Sequence, residues 1–147
     1  MRELLELQTG QVAFISGLMS GFSLAIAAHI LRYGIRSWIA QVVFLMFLVS
    51  SLMFLLALYV DVSLSIVLAG VDQIADSAVY EKIESVRNLG TSSATAALVI
   101  FIVAIGLLGW LAKKSTGVLS SLMAVLVLCA FWYVWHTINL IGLLVAS

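Results

Sequence analysis

The sequence contains no proline and a single cysteine, Cys129. Without proline, the kinked and broken helices that build many transporter binding sites are not expected. One cysteine excludes an intramolecular disulfide and a CxxC redox pair. Charge is also scarce. Seven Lys/Arg and seven Asp/Glu make up 10% of the 147 residues, against about 25% in an ordinary soluble domain. So few charges cannot coat a water-soluble globule, which excludes a soluble enzyme, a nucleic-acid-binding domain and a disordered tail. The formal net charge is zero, so the chain as a whole attracts no polyanion, nucleic acid included.

What the chain has in abundance is apolar surface. Hydrophobic residues make up 64% of it and the mean hydropathy is +1.23. Four stretches carry no charge: Leu7–Leu31, Ser37–Val60, Asn88–Ala112 and Ser115–Ser147. About 20 apolar residues cross a bilayer's hydrocarbon as a helix, so each stretch is long enough. None alternates strictly between apolar and polar, which argues against a β-barrel. Within lipid a helix satisfies its own backbone hydrogen bonds. The expected fold is therefore all-α: one integral-membrane domain over residues 1–147, with four transmembrane helices. A cleaved signal peptide is not expected in the first stretch. Arg2, Glu3 and Glu6 precede it instead of a basic run, and its apolar part exceeds an h-region of about 7–15 residues.

The second stretch is too long for a bilayer. From Ser37 only Asp61 interrupts it before Asp72, and one helix over that range would be about 50 Å long against a ~30 Å core. Asp72–Arg87 then reads as an amphipathic helix, with Ala75, Val79, Ile83 and Val86 on one face. Asp72 would cap its start and Gly90 end it, with Thr91 or Ser92 capping the third span. Arg32, Arg36, Lys113 and Lys114 fall on one side of the membrane, and Arg2, Lys82 and Arg87 on the other. Positive-inside counting places the two short turns in the cytoplasm and both termini outside. Tyr33, Trp38 and Trp110 would mark one interface, and Tyr59, Trp132, Tyr133 and Trp135 the other.

The first span is the most informative. Gly17, Gly21 and Ala25 form a GxxxG-type ridge, and Ser16, Ser20, Ser23 and Ala27 run beside it. Small residues four apart let helices approach closely, which supports a packed interface. They also suit an inner helix, where they open a narrow lumen and hydroxyls wet it. His29 stands near the end of this span. It is either a headgroup-level histidine or, in a symmetric assembly, a ring whose protonation makes conductance pH-dependent. Glu3 and Glu6 would form acidic rings at the opposite mouth, with Arg32 beside His29. Asp61 would pair with Lys82 or Arg87 at the far interface, or serve as a cation-pathway carboxylate. His136, with Trp132, Tyr133, Trp135 and Asn139, reads as a structural polar cluster. His29 and His136 differ in depth by about 25 Å, so they cannot share a haem. Cys129 with His136 lacks further ligands for zinc. No catalytic motif, metal site or cofactor-binding signature is present, and an enzyme is not expected.

Residues 18–29, Leu-Met-Ser-Gly-Phe-Ser-Leu-Ala-Ile-Ala-Ala-His, resemble the first, pore-lining helix of the Orai calcium channels. Ser20-Gly21-Phe22 matches that helix's Leu-Ser-Gly-Phe run in register, and His29 stands where the family has its selectivity-filter glutamate. Gly106–Lys113 is similar to the end of the family's third span, and the four-span count agrees. The resemblance implies a symmetric homo-oligomer with the first helix innermost and Gly21, Phe22, Ala25 and His29 at or near the pore. Two departures stand out. Span one holds no carboxylate after Glu6, so the oxygen ligands that calcium selectivity needs are missing. The family's first turn is extracellular, whereas the charge count puts it inside.

The reading that joins these observations is a small oligomeric ion channel with Gly17, Gly21, Phe22, Ala25 and His29 lining or gating the path. Its partners would be further copies of itself, the lipid bilayer and inorganic ions. The alternative is a non-catalytic membrane subunit or anchor packed against a partner membrane protein. A small transporter comes third.

Overall fold

In the computed structural model, residues 2–35, 37–69 and 77–146 are described, with side chains over 11, 13–32, 34–35, 37–67 and 82–137. Within them lie four long helices: α1 (Arg2–Tyr33), α2 (Trp38–Ala69), α3 (Ser77–Leu108) and α4 (Lys114–Ala146). Each would be about 48–50 Å long at 1.5 Å per residue. All four contain a window long and apolar enough to cross a membrane.

The connections follow local chemistry. Gly34 takes φ +86°, a left-handed conformation that glycine adopts without strain, and its N–H bonds Leu31 O at 3.2 Å. That ends α1 in the manner of a glycine C-cap. Ser37 Oγ then accepts the Ala40 N–H at 3.1 Å and caps α2. At the other short connection α3 tightens into a 3-10 turn, Gly109–Leu111, before α4 begins.

One expectation is corrected. Gly90 does not end an amphipathic helix, because α3 runs through it without a break. A Cβ at Gly90 would meet Val60 Cγ1 at 2.9 Å, so this glycine serves close packing on α2. Thr91 caps nothing and its Oγ1 instead bonds the Arg87 carbonyl one turn back, at 3.0 Å. The predicted apolar face also splits: Ile83 is half-buried while Val86 is exposed. Asp72 and the Ala75 and Val79 side chains lie outside the described residues. By contrast α2 is a single helix well past Asp61, as the uninterrupted apolar run requires.

The helices pack in chain order: α1 on α2, α2 on α3, and α3 with its 3-10 turn on α4. Among the described residues neither α1–α3 nor α1–α4 is a substantial contact. The four helices thus form an open row with α1 and α4 at its edges. Ala27, Ile30, Val43, Phe47 and Ala104 form the apolar core, and Phe47 meets Phe101 edge-to-face at 5.6 Å. Ala40, Phe54, Ala57, Val60, Leu64, Ala97 and Ala124 are buried outside this cluster, and beside them lies a polar set of Ser16, Ser20, Ser23, Ser50, Ser51, Ser93 and Asp61. The outside is largely apolar, with Leu and Val exposed on α2, α3 and α4 and Phe, Leu and Ile on α1. Lipid tails are as apolar as leucine, so burying large apolar chains brings little gain in a membrane; small residues and hydroxyl bonds hold the helices together. The distribution is that of a multi-pass membrane protein.

Candidate functional site

The first helix has two sharply different faces. Ser16, Ser20, Ser23, Ala27 and Ile30 recur at steps of four and three and are all buried against α2. The hydroxyls of Ser20 and Ser51 stand 3.1 Å apart, and each also lies 3.1 Å from the other's carbonyl oxygen. The neighbouring Ser50 turns the other way and donates to Ala97 O on α3 at 2.9 Å. Ser93 returns the bond, donating to Met53 O at 3.0 Å. Two adjacent serines of α2 therefore tie it to both neighbours.

At 100° per residue, Gly21, Phe22, Ala25, His29 and Arg32 fall in an arc opposite this serine seam. All five are exposed, with Phe22 at 55%. A Cβ at Gly21 would meet nothing within 4 Å. Gly17 sits differently, half-buried on the flank, where a Cβ would lie 3.5 Å from Leu58 Cδ1. The two glycines of the GxxxG thus face different surroundings, and the serine ridge beside them makes the close contact. Glu3 and Glu6 fall on the first turns of α1, and their side chains lie outside the described residues.

Asp61 is buried at 7% exposure in the α2–α3 seam, and its Oδ1 lies 3.7 Å from the Cβ position of Gly90. Its Oδ2 has no hydrogen-bond partner among the described residues. Neither of the two expected cationic partners, Lys82 and Arg87, forms an ion pair with it among the described residues, although the Arg87 charge acts on it at longer range. His136 is exposed on α4 beside the exposed rings of Trp132, Tyr133 and Trp135, while Asn139 lies outside the described side chains. His29 and His136 belong to helices at opposite edges of the row. Among the described residues no three His, Cys, Asp or Glu side chains are grouped to hold a metal ion.

The α3–α4 contact was not anticipated from sequence. Gly106 faces Ala124, whose Cβ would lie 2.9 Å from an added one, and Gly109 faces Ser120 and the Thr116 carbonyl. Gly117 lies flat against the Trp110 ring, at 2.6 Å from a built Cβ. Ser120 Oγ donates to Gly106 O at 2.7 Å, and Trp110 Nε1 donates to Ser121 Oγ at 3.0 Å. The signal was available as small residues at steps of three and four on both sides of the Lys113–Lys114 turn.

Comparison with protein families, with characterised proteins and with solved structures finds no match for this chain.

Proposed function

We propose that the protein is a small homo-oligomeric ion channel, without catalytic activity, in which the outer face of α1 lines the permeation path. One observation carries this reading. The fold leaves uncovered, at an edge of the row, a helix face on which Gly21, Ala25 and Ala28 stand among Phe14, Leu18 and Phe22, with His29 and Arg32 at its end. The exposed face of α4, with Val118, Leu119, Leu122, Met123, Val125 and Leu126, shows what lipid selects. Small and polar residues on an outward face suit either close approach of further copies or a lumen. The likeness of residues 18–29 to the Orai inner helix points the same way.

In such a ring Leu18 and Phe22 would narrow the middle, where dewetting can gate flow. His29 and Arg32 would form one mouth and Glu3 and Glu6 the other. Protonated imidazoles at the first mouth would repel cations, so cation flux should fall as pH is lowered. Salt flux into proteoliposomes, compared between the native chain and His29→Ala, tests this. The acid block should be several-fold in the native chain and absent from the variant; no flux at any pH sinks the channel. A separate measurement addresses geometry. Ala25→Cys in a Cys129→Ser background should give disulfide-linked copies in the bilayer. Linkage to a different protein would favour the subunit reading instead.

A further inference from the structure

The zero net charge conceals two poles. Antiparallel helices bring the α1–α2 and α3–α4 connections to one end of the row. In sequence that end holds Arg32, Arg36, Lys113 and Lys114 and no acid. The remaining three cations and all seven acids belong to the opposite helix ends and the α2–α3 connection, so the chain resolves into poles of +4 and −4. Arg32, Lys113 and Lys114 are exposed; Arg36 lies outside the described residues.

Exposed indoles mark the same level. Trp38 is 77% and Trp110 40% exposed at the basic end, and Tyr59 and Trp132 are 70% and 73% exposed toward the other. From Trp38 to Tyr59 along α2 is about 32 Å, and from Lys114 to Trp132 along α4 about 27 Å. Both distances match a ~30 Å hydrocarbon core between two aromatic belts. The basic end therefore stops at the headgroup level. Both connections there are short, the Trp110 indole is held by Ser121 and seated on Gly117, and the cations cannot swing far from the surface.

We propose that this basic pole is a binding surface for anionic phospholipid headgroups, with Arg32, Lys113 and Lys114 as the phosphate contacts and Trp38 and Trp110 as the interfacial anchors. Charge complementarity selects the partner: an unopposed cluster of cations beside indoles at headgroup depth enriches anionic lipid. The acidic pole does the opposite, so the protein favours a bilayer whose two leaflets differ in charge. The Lys113–Lys114 part of this surface is independent of whether α1 lines a pore, whereas Arg32 joins it only where the outer face of α1 meets lipid.

The full-length chain carrying Trp132→Phe and Trp135→Phe keeps only the indoles of the basic pole. It is reconstituted in phosphatidylcholine vesicles containing equal fractions of either brominated phosphatidylglycerol or brominated phosphatidylcholine. Tryptophan quenching should be stronger with the anionic quencher. The preference should correspond to an association advantage of up to about fivefold per cation and should shrink in high salt, because the groups are exposed. Adding Arg32→Gln, Lys113→Gln and Lys114→Gln should abolish it. The mirror variant, Trp38→Phe with Trp110→Phe, should show no preference. Equal quenching by the two lipids, a preference that survives loss of the three cations, or the same preference at the acidic pole would each overturn the proposal.

Discussion

The α1–α2 and α3–α4 pairs solve one problem in two ways. Both are antiparallel helix hairpins that must hold together where lipid offers no hydrophobic drive for association. The first uses serine: a seam from Ser16 to Ile30 runs along most of the span, with the reciprocal Ser20–Ser51 bonds near its middle. The second uses glycine: Gly106, Gly109 and Gly117 bring the backbones together beside the turn, and Ser120 and Trp110 lock that end. From Val125 to Thr137, as far as the described side chains reach, α4 buries none of them. A hydroxyl seam tolerates small changes at each step, whereas a glycine seam concentrates its contact where no added atom fits. The α3–α4 pair should therefore be the more brittle of the two.

The largest effect is expected at Gly109. A methyl there would collide with Ser120 and come within 2.8 Å of the Thr116 carbonyl, which is backbone and cannot swing away. Gly109→Ala gains up to about 1 kcal/mol in helix propensity, but overpacking of this kind costs about 1–3 kcal/mol, and the clash should win. Denaturant unfolding in mild detergent should show a net loss of about 2 kcal/mol. A variant as stable as the native chain would mean that the glycine seam is not closed.

The serine seam should respond more weakly. Interhelical hydroxyl bonds in membranes average about 0.6 kcal/mol, so Ser20→Ala and Ser51→Ala should each cost about that much. A double-mutant cycle should show them coupled, because each loses the same partner. Ser23 supplies the contrast. It is fully buried, and its hydroxyl has no partner among the described residues. Removing an unsatisfied hydroxyl relieves its desolvation cost, so Ser23→Ala should be neutral or slightly stabilising. Equal losses at Ser20 and Ser23 would show that packing alone, without hydrogen bonding, holds this pair.

These two seams also show where sequence was legible. The four spans follow from charge-free length, and the long α2 follows from Asp61 standing alone in an apolar run. Which small ridge packs could not be read from α1 alone. Gly17–Gly21–Ala25 and Ser16–Ser20–Ser23–Ala27 lie side by side with the same spacing, and the choice depends on what α2 presents, namely Ser51. Gly90 misled for a related reason. A glycine that ends a helix and one that admits Val60 look alike until the neighbouring helix is in place. The polar end residues of α1 were legible as candidates, but their shared outward face became visible only once α2 had claimed the other side.

The expectation most discriminating for function concerns a site where the protomer itself has nothing to lose. Gly21 is the member of the GxxxG that faces open space, so Gly21→Ala removes backbone freedom without a clash and should stabilise the isolated chain by up to about 1 kcal/mol. The consequence of a larger side chain depends on what occupies that space. If lipid does, Gly21→Leu should be as stable as Gly21→Ala and leave reconstituted behaviour unchanged, because a leucine in lipid is unremarkable. If further copies or a lumen do, Gly21→Leu should still unfold like Gly21→Ala as a detergent-separated chain while reducing salt flux or ring assembly in the bilayer several-fold. Measuring both quantities on one preparation separates a change in the protomer from a change in what surrounds α1, because only the surroundings differ between the two states.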